Sequence, residues 1–590
     1  MELPGALEAD AVIGTGRRRL LLGALALWAA LTIFSRLGGA PVYIINEGRE
    51  GVYVRAMLDT GDWILPSVPN HVECGETIPD KPPLFHWIAG AATGVRGALA
   101  SGRVLAGSEL SRRFDEWTLR SPSAIAGVLM TLAVAVLGAR LIGERAALLG
   151  AATLPATWQF VQHATYGRVD MVFATCAACA ILLAGVALTS GARAALVGTA
   201  AFAGLAVLAK GPLGLVLPGF AAGCWVALRS LRARSLGWLQ PLPWLAASAV
   251  LVSIVVPWYG AALLKGGMAL VRSHFLTENA GQFFGEPMPL TFYVTPWLAD
   301  SFPWNLAAAA SAWQALRWRR PDAEFLAVAW IAVLAFFEIA SYKRRAYLLP
   351  AIPLAAMLAG VWLDDRLPGP ASRGTEALST AIGRTLARLP GWSAPAAAVC
   401  LGIATVGTLA ALVTFSGTRF PDPLYAGAAT IVGAAATLLA GAWLVHAVRT
   451  GDRWLTFAAL LVALSAACAG PVRTAQIGEA LTSSPKPFVD RVVATLPPGE
   501  VVSVRGLGDD PSLLLLLYFP FPDRIVVVPQ AEPPRTDPQP GFHLLGPDEW
   551  TWLQSRPEFP ASGWRELWVD VLRGRGLRVP LVLAQRSHSR

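Results

Sequence analysis

The sequence predicts a polytopic α-helical membrane protein of about thirteen transmembrane helices, followed by a C-terminal extracytoplasmic α/β domain, and three observations predict it. The 590 residues are 54% hydrophobic and only 15% charged, with a mean hydropathy of +0.51, too apolar for an ordinary water-soluble chain of this length. Apolar runs close to the roughly 20 residues that span a bilayer recur as far as residue 469. Arg and Lys gather in short clusters between alternate runs, as cytoplasmic loops require. That distribution accounts for the net charge of +9, so no nucleic-acid partner is expected. The six cysteines are scattered at Cys74, Cys176, Cys179, Cys224, Cys400 and Cys468. The one C-x-x-C pair lies inside an apolar run without a second pair, which indicates neither a zinc site nor a disulfide framework.

Taken in order, Arg17-Arg18-Arg19 precedes the apolar run Leu20 to Phe34, which suits a signal-peptide core or a first transmembrane helix. Because about a dozen spans follow, we read it as an uncleaved anchor with a cytoplasmic amino terminus. The loop at 38–120 then lies outside. Counting the apolar stretch Pro82 to Ala100 as a span would put the basic loop Arg140 to Arg145 outside, so it reads as an interfacial helix. Spans are expected at Ser123 to Ala139, Ala146 to Val161, Met171 to Thr189, Ala194 to Ala209, Leu213 to Leu228, Trp244 to Leu264, Phe292 to Leu316, Phe325 to Ala340 and Tyr347 to Leu363. Arg229 to Arg234, Arg317 to Arg320 and the connector Asp364 to Gly391 mark the cytoplasmic side. Three more spans fit Ala394 to Phe415, Tyr425 to Val448 and Trp454 to Ala469.

From residue 471 to 590 the character changes to Pro-Gly punctuation and β-rich runs at Val501 to Val504, Leu513 to Phe519, Arg524 to Val528 and Leu567 to Val571, with a Pro-rich loop at Ala531 to Pro540. This is a water-exposed domain of about 120 residues, set against a membrane domain at 1–470. An odd number of spans places it on the outer face with the first loop.

Under this topology Arg49, Lys81, Arg168, Lys210 and Lys343-Arg344-Arg345 break the positive-inside pattern and collect outside. An anionic ligand at the hydrocarbon edge would hold them there by charge-assisted hydrogen bonds; snorkelling to lipid headgroups is the plainer reading of any one of them. Two outer acids accompany them. Glu47 follows the first helix, and Asp170 opens another in Gly167-Arg168-Val169-Asp170; for Asp170 the residues leave general base and helix cap open. His274 and Glu278 stand four apart, and His71, Glu73, Cys74 and Glu76 lie in the first loop, but no full ligand set is visible and no metal is expected. His163 reads as packing near a helix end. Trp63, Trp87, Trp258, Trp297 and Trp304 fit an interfacial aromatic belt, with some able to stack on sugar.

The segments Asn46-Glu47-Gly48-Arg49, Gly61-Asp62-Trp63 and Asp80-Lys81-Pro82-Pro83-Leu84, with Lys210-Gly211-Pro212 and Ser341-Tyr342-Lys343-Arg344-Arg345-Ala346-Tyr347-Leu348-Leu349-Pro350, resemble the lipid-linked-sugar glycosyltransferases of the GT-C type, especially the aminoarabinose transferase and protein O-mannosyltransferase group. The likeness covers roughly residues 20 to 360. It implies transfer of a sugar from a polyprenyl-phosphate donor to an envelope acceptor (lipid A, glycan or protein) on the outer face of a bacterial inner membrane, with no cofactor. It implies catalytic roles for the Asn46, Glu47 and Asp170 positions, and donor-phosphate binding by Arg49, Lys81, Arg168, Lys210, Lys343, Arg344 and Arg345. Substrate contacts would come from Tyr347, Glu278 and Trp63. Two positions depart from the pattern. The acid that relatives use as base falls on Asn46, which takes no proton at neutral pH, and the later Glu-His-x-x-x-Arg-Phe becomes Glu278-Asn279-Ala280-Gly281-Gln282-Phe283. Other readings are a lipid-linked-sugar transporter or flippase, which would call for mid-membrane binding groups and inverted repeats, and a non-catalytic envelope assembly protein.

Overall fold

The computed structural model describes residues 15–367 apart from 36, 67–78, 236–242 and 286, and residues 441–587 apart from 444, 447, 450–452, 520–524, 529–537 and 560–561. The expected spans at 394–415 and 425–448 therefore lie almost wholly outside the described residues, as do His71, Glu73, Cys74 and Glu76.

The amino-terminal part is a helical array: α1 (Thr15–Phe34), α2 (Ile45–Thr60), α3 (Leu84–Ser101), the short α4 (Gly107–Ser111), α5 (Glu116–Ile142), α6 (Glu144–Thr153), α7 (Trp158–Ala164), α8 (Val169–Ser190), α9 (Arg193–Lys210), α10 (Leu213–Ala233) and α11 (Trp244–Val271). There follow a wide-turn segment Arg272–Gly281, α12 (Gln282–Phe284), α13 (Val294–Asp300), α14 (Trp304–Arg317), α15 (Pro321–Ile339), a 3₁₀ turn Arg345–Ala351, α16 (Ile352–Asp364) and α17 (Arg453–Ala467). Among the described residues seven helical stretches are long and apolar enough to cross a membrane: α5, α8, α9, α10, α11, Arg345–Asp364 and Arg453–Gly470. The stretch α3, expected at the interface, is not among them.

Two expected spans are broken. The run Ala146 to Val161 is α6 and α7 separated by a 3₁₀ turn, Leu154–Ala156, because Pro155 has no N–H for the helical ladder and crowds the preceding turn. The run Phe292 to Leu316 divides into α13 and α14 around Ser301 to Pro303 for the same reason. Hydropathy averages over such breaks and cannot register them.

Inside a bilayer helices gain little from burying apolar surface against each other, so small residues that let backbones approach become decisive. The contact of α6 with α16 uses Ala146 and Gly150 on one side and Ala356 and Gly360 on the other. A β-carbon on Gly150 would lie 2.5 Å from the Ala356 carbonyl oxygen, and one on Gly360 would overlap the Ala146 carbonyl. The helix α8 is buried over most of its length, packed between α5, α9 and α10.

Beyond α17 the chain turns through Cys468–Val472 into α18 (Arg473–Ser483) and α19 (Lys486–Thr495). It then forms a five-stranded sheet of β1 (Val502–Arg505), β2 (Ile525–Val527), β3 (Gly541–Leu545), β4 (Trp564–Gly574) and β5 (Leu577–Arg586), in the order β2-β1-β3-β5-β4. The strand β1 runs parallel to β2 and β3, while β5 is antiparallel to β3 and β4. The helices α20 (Asp509–Tyr518) and α21 (Pro547–Gln554) complete an α/β unit. Leu513 to Phe519, expected as a strand, is mostly α20. Its five consecutive leucines are strong helix formers, and a strand would favour β-branched or aromatic residues instead.

The sheet unit grips the first loop. The helix α20 lies on α2, where Gly48 and Gly51 leave room for Leu514 and Leu517: a β-carbon at those glycines would stand 2.8 and 2.7 Å from the two leucine side chains. The Tyr518 hydroxyl donates to Glu116 at 2.7 Å and accepts the Val42 N–H at 2.5 Å. Arg55 donates to the Leu517 carbonyl, and the Arg575 N–H donates to the Tyr43 carbonyl.

Candidate active site

The first loop becomes helix at Ile45 because no proline or strand pattern opposes it, and it ends where Gly61 takes φ +72°. This places Asn46, Glu47, Arg49 and Glu50 on its first turns. Glu47 is wholly buried. Its Oε1 accepts from the Arg120 Nε at 2.7 Å and from the Gly167 N–H at 2.9 Å, and its Oε2 accepts from a second Arg120 nitrogen at 3.2 Å. Arg120 in turn donates to the carbonyls of Leu37 and Ala40. Both oxygens of Glu47 are thus committed to joining α2, α5 and the turn before α8.

That turn carries the second predicted acid. Asp170 is buried in the first turn of α8, with Lys210 donating to one oxygen at 2.5 Å and Arg168 2.9 Å from the other. Lys210 reaches it because α9 ends there: Gly211 takes φ +81°, which L side chains avoid, and Pro212 starts the next helix. The Lys210 ammonium also stands 4.7 Å from the Tyr347 ring centroid and 5.4 Å from that of Phe173. Tyr347 belongs to the 3₁₀ turn, whose Arg345 carbonyl accepts from Gln159. The charge of Arg344 reaches Lys210 and Tyr347. Lys81 feels Lys210, Asp170, Asp80 and Glu50 together, and Arg49 binds Asp80 at 2.7 Å.

The structure therefore brings together Arg49, Lys81, Arg168, Asp170, Lys210, Arg344 and Tyr347. It does not bring in the other two cations. Lys343 is buried and turned to Glu338 at 2.9 Å, and the Arg345 side chain is 64% exposed, 3.7 Å from Asp300. Trp63 packs on Gly90 while its carbonyl accepts from Trp87. Of Glu278 only the backbone is described; the segment that follows it is stitched to the 341 turn through the Ser341 N–H to the Phe283 carbonyl and the Met288 N–H to the Ser341 carbonyl. The His274 Nε2 lies 2.7 Å from the Pro79 carbonyl oxygen, fastening the Asp80-Lys81 end of the loop, and His163 hydrogen-bonds through its Nδ1 with the Gln159 carbonyl. Among the described residues no group of three or more His, Cys, Asp or Glu is arranged to hold a metal.

Sequence reasoning missed Arg120 and the pair formed by Glu50 and His86. Arg120 stands just ahead of the long apolar run of α5, where a charged residue signals a partner, and that was the readable clue. His86, in α3, offered only an isolated histidine on an apolar face. Replacing Arg120 by Leu leaves Glu47 buried without its cation and should lower stability by about 3–5 kcal/mol. Thermal unfolding in detergent would show this, and the Glu47→Leu/Arg120→Leu double variant should recover much of the loss.

Comparison with known proteins follows the same lines. Residues 80–260 match the family described as dolichyl-phosphate-mannose-protein mannosyltransferase. A protein of Sodalis glossinidius named undecaprenyl phosphate-alpha-4-amino-4-deoxy-L-arabinose arabinosyl transferase 1 is 27% identical over 514 residues, 83% of this chain and 82% of its own length. The arabinosyl transferase of Pseudomonas paraeruginosa is 27% identical over 340 residues, 55% of this chain. The chain spans only 56% of the length of that relative. In fold, the chain is similar to ArnT from Cupriavidus metallidurans, whose crystal structure holds undecaprenyl phosphate: the TM-score is 0.67 at 21% identity, over 96% of this chain and 98% of that one. In sequence motifs and in fold alike, this chain resembles the GT-C glycosyltransferases that use polyprenyl-phosphate sugar donors.

Proposed function

We propose that this protein is a membrane glycosyltransferase that moves a sugar from a polyprenyl-phosphate donor to an envelope acceptor on the outer face of a bacterial inner membrane. The observation that carries the reading is the gathering of cations at this half-buried cluster. Among the described residues Arg49, Lys81, Arg168, Lys210 and Arg344 stand with Glu50, Asp80 and Asp170, five cations to three carboxylates. Cations held together beside the hydrocarbon suit an anionic ligand, which they bind by charge-assisted hydrogen bonds.

The donor's phosphodiester bears one negative charge, and the polyprenyl phosphate that leaves approaches two. A fixed surplus of positive charge therefore stabilises the departing group more than the bound donor, which is where binding contributes to rate. The bond between the sugar's anomeric carbon and the phosphate oxygen breaks with its electron pair going to phosphate, while the acceptor's hydroxyl or amine bonds to that carbon and gives up its proton. Lys210 and Arg168, held by Asp170, are the phosphate contacts, with Lys81 and Arg344 beside them and Tyr347 lining the pocket against Lys210. Asp170 acts through those two cations. Asn46 lies half-buried on the first turn of α2.

Removing Lys210 deletes one hydrogen bond to a charged group, worth about 2 kcal/mol. Lys210→Ala should weaken binding of polyprenyl phosphate by roughly thirtyfold and lower turnover at least as much. Undiminished affinity in a lipid-binding assay with Lys210→Ala and Arg168→Ala would place the phosphate elsewhere.

Burial pulls the Lys81 ammonium down to about 8. It is cationic below that pH and neutral above it, so donor affinity should fall as pH rises from 7 to 9. The Lys81→Arg variant, which stays charged, should not share the fall. Titration of polyprenyl phosphate across that range decides it.

The orientation rests on the alternation of basic loops, with the amino terminus cytoplasmic, about thirteen spans, and a membrane domain (1–470) and sheet domain (471–590) joined outside. Labelling of a cysteine placed at Arg565 by a membrane-impermeant reagent should succeed in intact spheroplasts. Labelling only after permeabilisation would reverse the topology.

A further inference from the structure

The family resemblance leads one to expect an acid at position 46, where this chain has Asn46, and the structure shows what stands nearby. Glu50 lies one turn further along α2, at i+4 from Asn46 and hence on the same helical face. It is buried, and its Oε2 lies 2.7 Å from the Nε2 of His86, itself buried in α3. The imidazole is fixed edge-on between Tyr53 and Phe85, with ring centroids 6.0 and 5.7 Å away. The field of Glu50 reaches Lys81, which also senses Asp170 and Lys210, so the pair borders the phosphate cluster.

The other acids of this region are each tied to a cation. Glu47 holds Arg120, Asp80 holds Arg49, Asp62 holds Lys265, and Asp170 holds Lys210 and Arg168. A carboxylate in such a pair is a poor base, because protonation would strand the cation. Glu50 differs: its partner is an imidazole, which can accompany either protonation state of the acid.

We propose that Glu50 is the general base of this enzyme, with His86 as its positioning residue, standing in for the acid absent at Asn46. This rests on the glycosyltransferase reading above. In the step, the acceptor's oxygen or nitrogen forms a bond to the anomeric carbon, the bond from that carbon to the phosphate oxygen breaks with its electrons passing to phosphate, and the acceptor's proton passes to Glu50. His86, with its Nε2 2.7 Å from the carboxylate, holds that group in position for the transfer. The charged group that Glu50 reaches is Lys81, which also senses Asp80, Asp170 and Lys210, and Asp80 is paired with Arg49.

The test uses the full chain in nanodiscs with synthetic polyprenyl-phosphate hexoses and pentoses, and lipid A, a glycan or a peptide as acceptor. Glu50→Gln should lower turnover by about 10²- to 10⁴-fold, with affinity for polyprenyl phosphate changed by less than about threefold. That retained affinity also reports a folded protein. Adding Asn46→Asp to Glu50→Gln should restore at least about tenfold of the loss, since a carboxylate returns to the same face. His86→Phe should lower kcat by about tenfold or more with the KM for the donor little changed, and His86→Gln, which can still hydrogen-bond to the carboxylate, should recover much of it. If the unaltered protein transfers sugar and Glu50→Gln transfers it at an unchanged rate, the base lies elsewhere while the glycosyltransferase reading stands. If the unaltered protein transfers from none of these donors, both fall together.

Discussion

The arrangement around the cluster depends on one buried ion pair. Glu47 and Arg120 meet with almost no solvent contact, and their remaining hydrogen bonds spread to Leu37, Ala40 and Gly167. Two charges taken from water are tolerable only when every lone pair and proton finds a partner, and that condition forces the segment after α1, the start of α2, the first turns of α5 and the turn before α8 into one place. Asp170 is three residues beyond Gly167, so the position of its carboxylate follows from the same joint. The pair contributes geometry more than net stability, since an apolar substitute of like volume could pack as well.

The sheet unit adds a second constraint on the same helix. Gly48 and Gly51 stand at i and i+3 on α2 and admit Leu514 and Leu517 of α20. Tyr518 then bridges Val42 and Glu116, so the loop is held from above by the sheet unit and from below by Arg120. Further along, the His274 and Lys265 side chains and the indole of Trp258 fasten the loop at Pro79, Asp62 and Ile64. A loop fastened at so many points pays its ordering entropy during folding and not during each binding event, which is the benefit of preorganisation.

Much of this was readable in the sequence. The spans at α5, α8, α9, α10 and α11 lie within a few residues of their apolar runs, because hydropathy over about 20 residues is the quantity that a bilayer selects. The residues Arg168, Asp170, Lys210 and Tyr347 do converge, and Gly211-Pro212 was a helix stop that any reading would respect. The breaks at Pro155 and at Ser301 to Pro303 were not legible, since a window average is insensitive to one lost hydrogen bond. Lys343-Arg344-Arg345 read as one basic cluster, yet consecutive residues in a turn point in different directions, and Lys343 ends on Glu338. Glu47 drew notice by its place in the motif, while Glu50, three residues on, gained meaning only when α3 brought His86 against it. Pairings between distant segments are what composition and spacing cannot supply.

The division among the acids has a simple physical basis. A carboxylate that holds cations for a phosphate is most useful ionised, and Asp170 stands between Lys210 and Arg168. A carboxylate that must take a proton has to be able to lose its charge without leaving another group stranded. One buried site cannot serve both ends, because each cation that strengthens phosphate binding also weakens the base. In the proposed mechanism the tasks are separated, with the phosphate-holding acid on α8 and a histidine-partnered acid on α2, and the conflict is removed. On that proposal an amide suits position 46, because with Glu50 on the same face of α2 a further carboxylate one turn away would add like-charge repulsion.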